Sequence, residues 1–168
     1  QAQPFPPFGL HNIAREVLSD LEVKIEETGA DVQAGELPIL DADPMQMRQL
    51  IQNLLGNALK FRRSDTSPVI NISSKTLKAY NNGIGKCCEI IVKDNGIGFD
   101  EKYTDKIFAV FQRLHGRTEY EGSGVGLSIC RKIVARHDGN IKVKSKPGEG
   151  ATFILTLPLK QQNPEENL

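Results

Sequence analysis

From Leu10 onward the apolar positions Leu10, Ile13, Ala14, Val17, Leu18, Leu21 and Ile25 recur at the three- and four-residue spacing of one buried helical face. Gly29 is placed to stop that helix. Short extended pieces follow around Ala30 to Gln33 and Pro38 to Leu40. Asp43-Pro44 then opens a second helix, with Asp as N-cap and Pro at the first helical position. Its stripe, Met47, Leu50, Ile51, Leu54, Leu55, Ala58 and Leu59, is the clearest in the chain. Two runs with strand character, Val69 to Leu77 and Cys87 to Lys93, flank the turn-rich Asn81 to Gly85 and predict a hairpin. Glu101 to Phe111 predicts a short helix and its exit, and Gln112 to Gly122 is polar without periodicity. A third helix is expected from about Gly124 to His137, stopped by Gly139. Asn140 to Ser145 and Ala151 to Leu157 alternate around the turn PGEG. The pattern predicts an α/β two-layer sandwich over residues 10–159, one sheet with helices on one face. Residues 1–9, QAQPFPPFG, read as a linker or stub, and residues 160–168 as a disordered tail.

Composition narrows the function classes. With 168 residues, of which 39% are apolar, the chain can build one core. Twenty-one Lys plus Arg balance 21 Asp plus Glu. No global charge therefore points to nucleic acid or a membrane surface, and anion binding must come from local placement. No apolar run reaches membrane-span length. Cys87, Cys88 and Cys130 match neither a disulfide framework nor a zinc site, and read as reduced packing residues of a cytoplasmic protein.

Three polar elements could carry chemistry. Asn53, Asn57 and Lys60 share one face of the second helix, at the border of its apolar stripe. An Asn carbonyl is a hard oxygen donor for Mg²⁺, and Lys60 can reach a phosphate; a solvated helix face would look the same. Asp94-Asn95-Gly96-Ile97-Gly98-Phe99 follows a strand. Its carboxylate could accept from an exocyclic amine such as that of adenine, while its two glycines permit close approach; a plain Asn-Gly turn is the competing reading. Glu121 to Leu127, EGSGVGL, enters a helix, where free N–H groups and the dipole favour an anion. It is neither a dinucleotide fingerprint nor a Walker loop, and a flexible loop feeding a helix would also fit. Between the glycine elements, Lys106, Arg113 and Arg117 lie in or beside the polar stretch Gln112 to Gly122 and could close over phosphates as a lid; an exposed surface loop would look the same.

The order of these elements closely resembles the catalytic ATP-binding domain of sensor histidine kinases. NLLGNALKF (Asn53 to Phe61) matches the family's N box, DNGIGF (Asp94 to Phe99) its first glycine box, IFAVFQR (Ile107 to Arg113) its F box and GSGVGL (Gly122 to Leu127) its second glycine box. GEGATFILTLP (Gly148 to Pro158) also fits, so the likeness runs from about Leu10 to Pro158. It implies the Bergerat fold, a mixed sheet of about five strands with three main helices on one face. It further implies ATP and Mg²⁺ as cofactors. Asn57 would ligate the metal and Asn53 would support the metal and phosphate site. Lys60 and Arg113 would contact phosphate and complete the catalytic set. Asp94 would bind the adenine amine in a pocket shaped by Gly96 and Gly98. Gly122, Gly124 and Gly126 would let the lid and helix approach the phosphates. Phe108 and Leu127 belong to the implied nucleotide contacts, and Thr152 would lie near the adenine end.

Related ATPases of the gyrase, mismatch-repair and heat-shock classes carry a water-activating glutamate four residues before the metal-binding Asn. Asn53 occupies that place here, and a neutral amide is a poor general base. The resemblance therefore implies phosphoryl transfer to a histidine over rapid hydrolysis. A non-catalytic nucleotide-binding module and a hydrolytic ATPase are the alternatives. His11, His115 and His137 lack the setting of a phosphoacceptor; His137 is expected to complement the end of the third helix. The implied partners are an upstream dimerisation and phosphoacceptor domain and a response-regulator receiver domain. The domain alone is expected to be monomeric, without nucleic acid or direct membrane contact.

Overall fold

In the computed structural model, residues 5–77, 85–109 and 126–161 are described. The elements are β1 (Pro7–Gly9), α1 (Leu10–Asp20), α2 (Glu22–Thr28), β2 (Asp31–Ala34), β3 (Ile39–Asp41), α3 (Pro44–Lys60), β4 (Val69–Leu77), β5 (Cys87–Asp94), a 3₁₀ turn (Glu101–Tyr103), α4 (Thr104–Ile107), α5 (Gly126–Arg136), β6 (Asn140–Ser145) and β7 (Ala151–Pro158). Five strands form a mixed sheet in the order β2-β4-β5-β7-β6, with β2 parallel to β4 and the other neighbours antiparallel. The fold is an α/β sandwich with helices on the sheet, as the pattern predicts.

The core lies between sheet and helices. Ile70 and Ile72 of β4, Cys88, Ile90 and Val92 of β5, and Ala151, Phe153, Leu155 and Leu157 of β7 alternate onto one face. The seven stripe residues of α3 are all buried against that face. α3 starts as its sequence dictates: Asp43 Oδ1 accepts from Met45 N (3.0 Å) and Gln46 N (3.2 Å), and Pro44 opens the first turn. Leu10, Ala14 and Val17 of α1 join the core, and Arg48 of α3 pairs with Glu16 (2.8 Å) and Asp20 across the α1–α3 seam. Burial pushes the Cys88 and Cys130 thiols up to about 12. None of the three cysteines is in a disulfide and all are buried, as packing residues should be.

Five details depart from the sequence expectations. The first helix breaks at Leu21 into α1 and α2; Gly29 still closes the second piece, in the left-handed conformation at φ 67°. Asn140 follows a bend whose left-handed residue is Asp138 (φ 59°), not Gly139. Gly139 is required for contact instead, since a Cβ there would lie 2.3 Å from the Thr156 carbonyl oxygen. The stretch expected as a linker holds structure: Pro7–Gly9 pairs antiparallel with Ile39–Asp41. At the other end, Gln161 N donates to Asp41 Oδ2 (3.2 Å), so the expected tail begins packed.

His137 is the fifth. It is 1% exposed. Its Nε2 accepts from Asp43 N (3.0 Å) and its Nδ1 donates to Ile133 O (2.8 Å), the arrangement of a neutral ring. Phe5 stacks on it at 4.4 Å, and Gln161 Nε2 donates to its carbonyl (2.9 Å). It does not complement the helix end as a cation, because burial pushes the imidazole below its ordinary value. The Ile133 contact and the charges of Arg136, Asp43 and Asp138 only modulate this. A lowered histidine pKa means the unfolded chain binds more protons, so stability is complete above the ordinary value of 6.5 and falls as pH drops below it. Thermal melts from about pH 7.5 to about pH 5.5 are expected to show this loss, and His137→Asn to flatten the slope while lowering the melting temperature throughout.

Candidate functional site

β5 ends on its helix-facing side: Cys88, Ile90 and Val92 alternate inward, and Asp94 continues that face. Asp94 Oδ1 accepts from Gly96 N (2.8 Å) and Ala151 N (3.3 Å). Burial raises the Asp94 carboxyl above its ordinary value, partly offset by those two donors. Both bonds fall on one oxygen, which leaves Oδ2 to accept from a ligand amine.

The loops around Asp94 close on one another through backbone. A Cβ at Gly96 would meet Phe61 O at 2.4 Å, at Gly98 it would meet Lys146 O at 2.0 Å, and at Gly150 it would meet Asp94 O at 2.1 Å. Gly98 (φ 63°) and Gly150 (φ 77°) also use left-handed backbone that side chains disfavour. Ile97 N donates to Phe61 O (2.9 Å) and Gly148 N to Ile97 O (2.6 Å), so the DNGIGF loop lies between the end of α3 and the PGEG turn. Asn95 bonds Val69 N (2.8 Å) and Ser67 O (3.1 Å), and Arg63 donates to Gly148 O (3.0 Å).

The polar line of α3 meets the start of α5. Asn53 Nδ2 donates to Gly126 O (3.3 Å), and its amide also lies beside the Cys130 thiol. A Cβ on Gly126 would come no closer than 3.8 Å to Asn53, so packing among the described residues does not demand glycine there. Asn57 and Lys60 are half-buried one and two turns further along, with Lys60 Nζ 5.3 Å from the Phe61 ring centre. Among the described residues no three His, Cys, Asp or Glu side chains converge on a metal position. The Asn57 side-chain carbonyl is a hard oxygen donor of the kind that Mg²⁺ takes.

Other expected site residues are placed differently. Thr152 pairs with Lys93 and Lys144, on the sheet face away from Asp94; its neighbour Ala151 reaches Asp94, through the backbone N–H. Phe108 is a core residue, 3% exposed, edge-on to Phe153 at 6.3 Å and 4.5 Å from the Arg131 guanidinium. Leu127 packs partly buried against the core. Arg113, Arg117, His115, Gly122, Gly124 and the lid segment lie outside the described residues. A separate cleft of about 470 Å³, lined by Thr28 and residues 62–68, contains none of the expected site residues.

The site is thus a strand-end carboxylate among glycine loops, next to the end of a helix that carries Asn53 and Asn57. The chain belongs to the histidine kinase-, DNA gyrase B- and HSP90-like ATPase family, whose profile matches residues 42–161. It is 40% identical over 150 residues to the phytochrome-like protein Cph1 of Synechocystis sp., a match covering 89% of this chain and 19% of that protein. It is 35% identical over 161 residues to the adaptive-response sensory kinase SasA of Prochlorococcus marinus, covering 94% of this chain and 41% of that one. The catalytic domain of histidine kinase ThkA, in a nucleotide-free form, superposes with a TM-score of 0.76 at 27% identity. That match covers 95% of this chain and all of ThkA's domain. The chain thus spans about a fifth of Cph1 and two fifths of SasA, and it matches the catalytic domain of ThkA over that domain's whole length.

Gly150→Ala is expected to lower stability by about 1–3 kcal/mol, because the new methyl meets the Asp94 carbonyl on top of the backbone strain. Gly148→Ala, at φ 78° but with open space for the methyl, should lose only about 1 kcal/mol. Denaturant midpoints of the two variants check the difference.

Proposed function

We propose that this chain binds Mg²⁺-ATP and acts as the catalytic domain of a two-component histidine kinase. It presents the γ-phosphoryl group to a histidine on a helical dimerisation domain of the parent protein. The observation carrying this reading is the free oxygen of Asp94 within the glycine loops, a fit for the adenine amine. Asn57 would hold the metal, with Asn53 supporting it from its bond to Gly126. Lys60 and Arg113 would neutralise phosphate charge, and Gly126 would let phosphate approach the first turn of α5. Bound Mg²⁺ supplies charge neutralisation for the phosphates. In the transfer a histidine nitrogen bonds to the γ-phosphorus while the bridging oxygen bond breaks and ADP leaves. The phosphoryl group would then pass to a response-regulator receiver domain in the cytoplasm, where ATP is available.

Asn53 cannot activate water as a carboxylate does, which favours transfer over hydrolysis. Of the described histidines, His137 has both ring nitrogens engaged and is buried, and His11 lies exposed at the start of α1. Burial and these two bonds close His137 to a phosphoryl group, since this chemistry depends on an in-line approach.

Calorimetry should give ATP binding between micromolar and millimolar, about −8 to −4 kcal/mol. Asp94→Ala should make ATP and GTP affinities converge; an unchanged preference for ATP removes Asp94 from its role. Incubated with γ-labelled ATP, the chain alone should take up no acid-labile, base-stable label, and adding the parent's helical domain should produce one there. Such a label on the chain alone would mean that the phosphoacceptor is misplaced.

A further inference from the structure

One hydroxyl outside the family's boxes joins both loops that surround Asp94. Ser145 is the last residue of β6 and is 7% exposed. Its Oγ accepts from Phe99 N (2.9 Å) and donates to Gly150 O (2.7 Å), while its backbone N donates to Glu101 Oε1 (3.0 Å). The Gly150 carbonyl belongs to the peptide unit whose N–H, on Ala151, donates to Asp94 Oδ1 (3.3 Å). A chain of hydrogen bonds therefore runs from Phe99 N–H through the Ser145 hydroxyl and the Gly150–Ala151 peptide to Asp94. Bonds in such a chain polarise one another, so the hydroxyl strengthens the donor at its far end.

From this we infer that Ser145 is a positioning residue for base recognition: it holds the Gly150–Ala151 peptide so that Asp94 keeps Oδ1 occupied and Oδ2 turned to the base amine. The inference rests on the adenine reading of Asp94. Ser145 touches no nucleotide itself. Neither the glycines nor Asp94 can substitute for it, because no other described side chain bonds the Gly150 carbonyl. Without the hydroxyl the Phe99 N–H and the Gly150 carbonyl lose their shared partner, and the carboxylate loses a fixed donor.

The test compares ATP with inosine triphosphate, which carries a carbonyl oxygen where adenine has its amine. Affinities of the full chain for both, with Mg²⁺, are measured by calorimetry for the wild type, Ser145→Ala, Ser145→Cys and Ser145→Thr. The wild type should favour ATP. Ser145→Ala should reduce that ratio by about threefold to tenfold, the effect of one hydrogen bond, while inosine triphosphate binding stays within about twofold. Ser145→Cys, with a weak donor, should fall between, and Ser145→Thr should restore the ratio. A merely structural serine would weaken both nucleotides in proportion. An unchanged ratio in folded Ser145→Ala, or in Ser145→Cys if the alanine variant does not fold, overturns the inference. A wild type without preference overturns the adenine reading and this inference with it, whereas a preference that survives loss of the hydroxyl overturns the inference alone.

Discussion

A carboxylate withdrawn from water needs hydrogen-bond donors, and at a strand end the nearest donors are the backbone N–H groups of neighbouring loops. Asp94 draws in Gly96 from its own loop and Ala151 from the start of β7. Much else in the site follows from that convergence. The two loops and the end of α3 must approach at backbone distance, so the contact points Gly96, Gly98 and Gly150 cannot carry a Cβ. The antiparallel register of β5 with β7 brings the end of one strand to the beginning of the other. β6 runs beside β7 with Ser145 opposite Ala151, which puts a hydroxyl within reach of the same peptide.

α3 links this arrangement to the core. Its apolar stripe is fixed in the sheet–helix interface, its terminal carbonyls reach the DNGIGF loop through Phe61, and its polar border reaches α5 through Asn53. A change that rotated α3 to expose Leu54 or Leu55 would cost about 2–3 kcal/mol per side chain, so the polar border is held in place by the hydrophobic one.

The parts legible in the sequence are those whose signal is local. The α3 stripe, the Asp43-Pro44 start, the β4–β5 hairpin and the last two strands all lie close to their expected positions, because periodicity and capping chemistry act within a few residues. Asp94, Gly96 and Gly98 stand within the family boxes, and the structure shows the bonds and close backbone contacts they make. What was missed depends on register or on atoms without a side-chain signature. Thr152, which the resemblance puts near the adenine end, pairs with Lys93 on the other face, and it is the backbone N–H of Ala151 that bonds Asp94. Ser145 is one polar residue among lysines on an alternating strand, and its hydroxyl gains its two partners only where the PGEG turn and the DNGIGF loop both fold onto it. Phe5 and Pro7 sat in a proline-rich stretch without period, and long-range pairing with β3 and His137 orders them.

The segment around Phe5 and the residues after β7 meet at His137, which follows the last turn of α5. The other end of that helix abuts Asn53. Eleven residues of α-helix form a rod about 16 Å long. One end of this strut is braced by the strand that leads into the domain, and the other stands over the polar line of α3. Held at both ends, α5 is a crossbeam between the Phe5–His137 stack and the polar line of α3.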